Sequence, residues 1–298
     1  MTTLGIMGGS GLYAVEGIRE LAAHEVMTPY GSPSAPIIEA RIEHAPSPTG
    51  ATSTRLLFLA RHGQKHQIAP QNINYRANIC ALKLLGAEQL VSVSAVGSMQ
   101  EHIAPGDVVI VDQYIDWTRG RESTFFDEGV VAHVSLAEPS SKQLRASAWA
   151  AVAQAQVSSS RSFKVHASGT YVCISGPQFS SKAESQLYRS WGVHVIGMTA
   201  ATEAKLAREA QLPYITLALA TDYDCWREHE AHVSVQAVLE VLRANVELSQ
   251  SMIRLLPERL SDPKLSRASS ALSHAVISHG PYSAEVRERF HWLLPDLK

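Results

Sequence analysis

Hydrophobic residues in this chain occur in short runs that are separated by stretches with helical spacing. The apolar runs occupy residues 4–9, 35–42, 55–61, 89–97, 107–116, 193–198 and 214–222. Several runs are continuous rather than alternating, which is typical of strands buried on both faces. Helical spacing follows at residues 74–86, 202–211, 234–260 and 283–294. Strands that alternate with helices predict an α/β fold with helices on both faces of a largely parallel or mixed sheet.

Two stretches interrupt this pattern and are predicted to lie at the surface. Residues 44–54 contain two prolines, a glycine and many hydroxyl side chains, so we expect a hairpin tip or a mobile loop. Pro263 is expected to break the long helix. The pattern therefore predicts one domain over residues 1–260 and a C-terminal extension over residues 261–298, whose last helix packs on the same domain.

Composition and charge narrow the class of protein. The 298 residues are 45% hydrophobic and 18% charged, against a usual charged share of about 25%, which favours a large core over disorder. The net charge of −2 offers no basic excess for a nucleic-acid partner. No apolar run approaches the ~20 residues of a membrane span, and the N-terminus lacks a signal-peptide pattern. Three widely spaced cysteines predict neither a disulfide framework nor a metal site, and a cytoplasmic location fits best.

Three turns that follow predicted strands have both a functional and a plain structural interpretation. The Gly-Gly-Ser-Gly turn at 8–11 offers backbone N–H groups to an anion, or it is a tight turn without a ligand. Arg61 and His62 are an oxyanion-binding pair or part of an ordinary surface turn. Residues 94–97 form a third small-residue turn or a plain strand end. Together the three turns favour phosphate binding, and none supplies a set of metal ligands.

The strongest local signal is a pair of carboxylates, Asp222 and Asp224, at the end of the predicted strand 214–222. Carboxylates at the end of a buried strand are partly surrounded by apolar protein, so at least one is expected to have a raised pKa. A carboxyl with a raised pKa can donate a proton to a leaving group. The alternative is an Asp pair that starts a helix.

Two further residues have weaker signals. Phe179 lies beside two serines within residues 176–185, and this arrangement suits a flat heterocycle. The same arrangement is also typical of a core aromatic residue followed by a helix cap. His133 is one of thirteen histidines, and on the sequence alone a structural role is the more typical one.

Seven segments of the chain, in this order, resemble the methylthioadenosine phosphorylases within the trimeric purine nucleoside phosphorylase group. They are GIMGGSGLY, TPYGSPSAP, ARHGQKHQIAPQNINYRANICALK, SAVGSMQEHIAPGDVVIVDQYID, GTYVCISGPQFSSKAES, GMTAATEAKLAREA and ATDYDCWREHEAHVSV. The resemblance covers about residues 4–256, with gaps, and continues weakly to the end. The resemblance implies an α/β nucleoside phosphorylase fold, with a mixed central sheet that has a barrel-like part and flanking helices. It also implies a homotrimer with shared active sites.

The resemblance implies phosphorolysis of S-methyl-5′-thioadenosine to adenine and 5-methylthioribose 1-phosphate, a reaction of purine and methionine salvage. Inorganic phosphate is then a co-substrate, and no metal or organic cofactor is expected. Site residues carry over by matching position: Ser10, Arg61, His62, Ser94, Ala95 and Thr199 to phosphate; Met198 to the ribose; Phe179, Ser180, Asp222 and Asp224 to the base; and Val235, Val238 and a neighbouring subunit's His133 to the 5′-methylthio group. Asp222 is expected to bring a proton to N7, and Asp224 to accept from the N6 amino group.

Some positions depart from the family pattern. Ser10 and Ser94 stand where many relatives have Thr, which keeps the hydroxyl. Ser175 and Gln178 stand where relatives often carry Glu and Arg, so a local salt bridge is expected to be absent. The loop 44–54 is longer than usual.

Other functions remain open at this point. A 6-oxopurine nucleoside phosphorylase or a methylthioinosine phosphorylase needs a donor toward O6, where this chain has Asp224. A non-catalytic nucleoside-binding protein belongs to a different class, and the presence of Arg61, His62 and Asp222 argues against it. A dinucleotide-dependent dehydrogenase would need GxGxxG, which the glycine spacing at 8–11 does not match.

Overall fold

The computed structural model describes residues 2–13, 15–159, 161–227, 235–278 and 280–297, and it describes residues 10, 13 and 235–243 by their backbone alone. Within these ranges the strands are β1 (Thr2–Gly8), β2 (Arg19–His24), β3 (Ile37–Glu43), β4 (Ser53–Ala60), β5 (Gln89–Ser98), β6 (Val108–Val111), β7 (Gln113–Asp116), β8 (Ala132–His133), β9 (Val165–His166), β10 (Thr170–Cys173), β11 (Val195–Gly197), β12 (Tyr214–Asp222) and β13 (Val276–Ile277). The α-helices are α1 (Tyr75–Leu84), α2 (Lys142–Ser158), α3 (Lys182–Ser190), α4 (Ala200–Glu209), α5 (Val235–Leu255) and α6 (Ala284–Phe290).

The central sheet is mixed and branches at β5. On one side β5 pairs in parallel with β1, and β1 pairs in parallel with β4. The antiparallel strands β3 and β2 complete this side. Along its opposite edge β5 pairs in parallel with β12. Beyond β1, at its carboxyl end, β5 pairs antiparallel with β11.

The second side of the sheet closes on itself. β6 continues into β7 through Asp112; β6 pairs with β12, and β7 pairs with β10. Because β10 pairs with β11 and β11 with β5, the strands β5, β12, β6–β7, β10 and β11 form a ring. This confirms the mixed sheet with a barrel-like part that the resemblance implied. The single apolar run predicted at 107–116 is therefore two strands, each with its own partner.

Helices cover both faces of the sheet, as the continuous apolar runs predicted. On one face Ile79 of α1, Leu206 of α4 and Phe290 of α6 belong to one buried cluster. On the other face Leu144 of α2 and Met252 of α5 pack with the opposite side chains of the same strands. A strand that is buried on both faces has no polar side, which explains the lack of alternation.

The helix ends agree with the sequence in one case and differ in another. α1 stops at Leu84, and Gly86 follows with φ of 90°, a left-handed conformation that glycine adopts without strain. α5 ends at Leu255, so the prediction of a helix that continues to residue 260 and breaks at Pro263 is wrong. Pro257 lacks an N–H group to continue the helix, and a short 3₁₀ turn starts there instead.

The two predicted surface stretches are placed as follows. Residues 44–52 form the tip of the β3–β4 hairpin, where the Gly50 N–H donates to the Ser47 carbonyl at 2.8 Å. The C-terminal residues pack on the same core: β13 pairs with β8, and the Phe290 ring stacks on Phe126 at 5.8 Å. None of the helices in the described ranges is both long enough and apolar enough to cross a membrane.

Candidate active site

A cavity of about 780 Å³ opens at the carboxyl ends of the parallel strands β1, β4, β5 and β12. This is the edge at which α/β sheets bind ligands. The cavity brings together most of the residues that the sequence singled out: Arg61, His62, Ser94, Ala95, Phe179, Ser180, Met198, Thr199, Asp222 and Asp224. We call the part around Arg61, Ser94 and Thr199 the helix end, because α4 begins there. The part around Phe179, Ser180, Asp222 and Asp224 is the carboxylate end.

Four of the predicted site residues are not among the described residues that line the cavity. Ser10 lies between Gly9 and Gly11, which line the cavity, but its side chain is outside the described part. Val235 and Val238 lie at the start of α5, and their side chains are also outside it. His133 is exposed on β8 and does not line the cavity of its own chain.

Arg61 is the central cation of the helix end. Its side chain follows β4, is buried, and forms an ion pair with Glu203 of α4 through Nε and Nη2. Nη1 donates to the Val93 carbonyl at 3.2 Å, and Nη2 donates to Ser92 Oγ at 2.5 Å. Burial works against the charged guanidinium, but the Glu203 carboxylate outweighs it, so the pKa of Arg61 is raised. Arg61 therefore remains a cation beside the cavity.

Thr199 adds donors to the helix end. It immediately precedes α4, whose first N–H groups and positive dipole end favour an anion. Thr199 is 3% exposed, and its Oγ1 has no hydrogen-bond partner among the described residues. The Ser94 hydroxyl donates a long 3.4 Å hydrogen bond to the Ala95 carbonyl. A guanidinium, two hydroxyls and a helix N-terminus thus meet at one place, which suits an oxyanion.

His62 is held as a neutral imidazole next to this cation. Its Nδ1 lies 2.9 Å from the Ile68 carbonyl, which only accepts hydrogen bonds, so Nδ1 carries the proton. Burial lowers the pKa of His62, and the nearby Arg61 and His66 lower it further. The His66 ring stacks on it at 4.4 Å. His62 is therefore uncharged at neutral pH, with a lone pair on Nε2.

At the other end, the side chain of Asp222 is hydrogen-bonded to the backbone of Asp224. Asp222 Oδ2 accepts from Thr221 Oγ1 at 2.6 Å, and Asp222 Oδ1 accepts from the Asp224 N–H at 2.8 Å. Asp224 reaches this position with φ of 53°, a left-handed conformation that Asp tolerates better than most residues. Gly97 makes the close approach possible, because a Cβ there would lie 2.9 Å from Ile196 Cγ2 and 3.2 Å from Asp222 Oδ1.

Asp224 is the carboxyl of this pair whose proton affinity is increased. Burial raises its pKa, the hydrogen bond from Ser185 Oγ to Asp224 Oδ2 works in the opposite direction, and the nearby Asp222 raises it again. The sequence predicted a raised pKa for at least one member of the pair. The structure therefore provides a carboxyl group of increased proton affinity at the carboxylate end.

Phe179 is not a core aromatic residue. Its side chain is 85% exposed and lines the cavity, which leaves a ring face available to a flat ligand. The helix cap expected in the same segment is present, since Ser181 caps α3 in a reciprocal arrangement with Glu184. Between them, Ser180 carries a buried hydroxyl without a partner among the described residues.

Residues 3–256 match the family model of the phosphorylase superfamily. The S-methyl-5′-thioadenosine phosphorylase of Geobacter sulfurreducens is 44% identical over 98% of this chain and 97% of its own length. The chain belongs to this family of phosphorylases. The enzyme of the same name from Rhodospirillum rubrum is 43% identical over 93% of this chain and 90% of its own.

Solved structures of this phosphorylase family have the same fold. A methylthioadenosine phosphorylase from an Antarctic soil metagenomic library has a TM-score of 0.87 and 42% identity over 99% of both chains. Methylthioadenosine phosphorylase from Schistosoma mansoni in complex with adenine has a TM-score of 0.74 and 35% identity, over 86% of this chain and 91% of that one.

Sequence reasoning about this phosphorylase missed several lining or supporting residues. Asn245 and Ser249 lie four apart on the apolar face of α5, are buried, and line the cavity. Two polar residues on an otherwise apolar helix face are the sequence signal that could have identified them as lining residues. Glu203 is likewise an acidic residue that is buried in the first turn of α4. For Ser185, which contacts Asp224, we find no signal in the sequence.

Proposed function

We propose that this chain catalyses the phosphorolysis of S-methyl-5′-thioadenosine to adenine and 5-methylthioribose 1-phosphate. The observation that carries the proposal is that one cavity joins an oxyanion-binding end, around Arg61 and Thr199, to two neighbouring carboxylates, Asp222 and Asp224. The chain's relatives bear the name of this activity.

At the helix end we assign phosphate, a co-substrate, to Ser10, Arg61, His62, Ser94, Ala95 and Thr199. The neutral His62 accepts from a protonated phosphate oxygen through Nε2, and the other residues donate. An oxygen of phosphate attacks C1′ as the bond from C1′ to N9 breaks. Met198 lines the same cavity and is assigned to the ribose. Holding phosphate against C1′ avoids the entropic cost of a bimolecular encounter, a contribution that reaches about 7 kcal/mol in well-oriented reactions. Our scheme includes no metal and no organic cofactor.

At the carboxylate end we assign the purine to Phe179, Ser180, Asp222 and Asp224. Electrons from the breaking bond flow into the purine, and a proton delivered to N7 stabilises the departing base. Asp222 delivers this proton, and Asp224 accepts from the N6 amino group. Burial raises the pKa of Asp224, with a contribution from the neighbouring Asp222. The raised pKa of Asp224 supports our view that a proton is retained within this pair.

We assign the 5′-methylthio group to the start of α5, where Val235 and Val238 lie three residues apart on one face. An apolar wall leaves the 5′-hydroxyl of adenosine without a partner, which costs on the order of 1–3 kcal/mol. Methylthioadenosine is then preferred over adenosine by about tenfold or more. The reaction serves purine and methionine salvage in the cytoplasm.

The proposed assembly is a homotrimer with shared active sites, in which His133 completes a neighbour's 5′ pocket. Support comes from its position: His133 is exposed, outside its own cavity, and near Val131 and Val276, which are 50% and 70% exposed. Mixing an Asp222→Asn subunit with a His133→Ala subunit should restore activity, because some sites inherit both intact residues. Absence of recovery after proven subunit exchange would count against shared sites.

A second candidate is a methylthioinosine or 6-oxopurine nucleoside phosphorylase. The observation that favours it is again the raised pKa of Asp224, because a protonated Asp224 would donate to O6 rather than accept from N6.

The deciding assay measures the release of free base with and without inorganic phosphate. It compares methylthioadenosine, adenosine, inosine and methylthioinosine. We expect phosphate-dependent release of adenine, fastest from methylthioadenosine. Faster release from the two 6-oxopurine nucleosides would favour the second candidate. Binding of nucleosides without release of any base would mean a non-catalytic binding protein.

A further inference from the structure

A buried hydrogen-bond network lies behind the helix end of the cavity. Glu203 is 1% exposed and lies in the first turn of α4. Both of its carboxylate oxygens contact the Arg61 guanidinium. Its Oε2 also accepts from Ser92 Oγ at 2.7 Å and from the Tyr214 hydroxyl at 2.9 Å. The carboxylate is thus fixed from two strands and in turn holds Arg61.

The contacts of Arg61 leave one edge of its guanidinium for a ligand. Nε and Nη2 are directed to Glu203, Ser92 and the Met7 carbonyl. Nη1 donates to the Val93 carbonyl, and its second hydrogen has no acceptor among the described residues. Because Arg61 lines the cavity, this hydrogen is the one available there.

We propose that Glu203 is the positioning residue of the phosphate site, holding the guanidinium of Arg61 so that its Nη1 edge meets the phosphate. This inference rests on the proposed function. Ser92 bridges the two charged groups, since Arg61 Nη2 donates to Ser92 Oγ and Ser92 Oγ donates to Glu203. A guanidinium presents its donors in a rigid plane, so fixing one side of the plane fixes the direction of the other. Prearranged donors need no reorganisation when the ligand binds.

The direction of the change in phosphate binding distinguishes a positioning role of Glu203 from a simple charge effect. Removal of the Glu203 carboxylate leaves Arg61 uncompensated, which by charge alone would tighten the binding of an anion. Loss of position predicts the opposite, weaker binding of phosphate. A purely structural ion pair would change thermal stability and leave the phosphate constants of the folded enzyme unchanged.

The test compares Glu203→Gln and Ser92→Ala with the wild type. Glu203→Gln is isosteric, and Ser92→Ala keeps both charges while it removes the bridge. The matched control is Ser98→Ala, a buried serine of the same strand that bonds to the Gln100 carbonyl and does not line the cavity. The readouts are the KM of phosphate, the KM of the nucleoside, and the Kd of inorganic phosphate alone by calorimetry.

For Glu203→Gln we expect the KM and the Kd of phosphate to rise by about tenfold or more, because the charge-assisted contact is misdirected. The KM of the nucleoside and the control Ser98→Ala should stay near the wild type. Ser92→Ala should raise the phosphate constants in the same direction by a smaller factor, and it decides the matter if Glu203→Gln does not fold.

Phosphate constants that are unchanged or lower in the folded variants would overturn the inference. The proposed function fails separately, and it fails if the wild type binds phosphate in the calorimeter but releases no adenine. In that case the calorimetric Kd values of the variants still test the role of Glu203.

Discussion

The two ends of the cavity are built in different ways. The helix end is fixed by a fully buried ion pair, in which Arg61 and Glu203 are 3% and 1% exposed. The carboxylate end combines an aromatic ring that is 85% exposed, that of Phe179, with two half-buried carboxylates, those of Asp222 and Asp224. The first end suits a small anion whose shape never changes. The second suits a flat base that enters from solvent and must receive a proton.

A similar contrast appears along α4 itself. At its start Glu203 is neutralised by Arg61. At its end Glu209 has no such cation in its hydrogen bonds and instead accepts from Thr124 Oγ1 and the Phe125 N–H at 2.8 and 2.7 Å. The segment that Glu209 anchors also contains Arg121, which donates to the carbonyls of Met198 and Ser175 beside the base site. Glu209 therefore anchors a segment that extends to the carboxylate end.

The largest effect is expected at the carboxylate end. Asp222→Asn should lower kcat by about 10²–10⁴-fold, because an amide can donate a hydrogen bond but cannot transfer a proton. The KM of phosphate should change little, since the two ends are built separately. Asp112→Asn is the control, as its carboxylate accepts from the Gly169 N–H outside the cavity lining. A kcat for Asp222→Asn close to that of the wild type would exclude Asp222 as the acid.

The next effect tests the helix end. Arg61→Ala should raise the KM of phosphate by about 100-fold, because a charge-assisted contact to the anion is lost. The variant should also be less stable by about 3–5 kcal/mol, since Glu203 is left buried without its partner. His62→Ala should raise the KM of phosphate less, because His62 is neutral.

The matched control for Arg61→Ala is Arg55→Ala. Arg55 lies on β4, the strand that Arg61 directly follows. It forms a two-point ion pair with Glu39 and does not line the cavity. The Arg55→Ala variant should be less stable than the wild type but have the same KM for phosphate. If Arg61→Ala kept the wild-type KM as well, Arg61 would have no role in phosphate binding.

The third effect is on stability and follows from Glu209. Burial raises the pKa of Glu209 from its ordinary value of 4.5 to about 7, against the hydrogen bonds from Phe125 and Thr124. A raised folded pKa means that its stability contribution is complete below pH 4.5 and is lost as the pH rises through 7. Compared with Glu209→Gln, the wild type should lose about 2 kcal/mol of unfolding free energy between about pH 5 and 7. Unfolding free energies from chemical denaturation that change equally with pH in the two proteins would contradict this.

The smallest effect concerns the choice of base. Asp224→Asn should shift the ratio of kcat/KM values for methylthioinosine and methylthioadenosine by about tenfold toward methylthioinosine, since its amide can donate to O6. The phosphate KM should not move. An unchanged ratio would show that Asp224 does not read position 6 of the purine.

Much of the fold could be predicted because the signals are local. The runs that became β1, β5 and β12 are long and apolar, and a stop glycine marks the end of α1. α2 was not predicted, because its buried face is built largely from alanines such as Ala148, Ala151 and Ala155, which contrast weakly with their neighbours. The division of one apolar run into β6 and β7 depends on which strands pair with each half, and a local pattern contains no such information.

The site, like the fold, has residues that the sequence reveals and others that it does not. The turns after β1, β4 and β5 and the pair Asp222 and Asp224 were visible, because they directly follow apolar runs. The partner of Arg61 was not, because Glu203 lies 142 residues further along the chain. The exposure of Phe179 was also left open, since an aromatic residue before a helix cap is as typical of a core as of a binding site.

The most direct measurement of the central claim follows radiolabelled inorganic phosphate during the release of adenine from methylthioadenosine. The account predicts that the label appears in the sugar product in an amount equal to the adenine released, because phosphate itself attacks C1′. Release of adenine with an unlabelled sugar would mean that water is the nucleophile, and it would contradict the assignment of the helix end to phosphate.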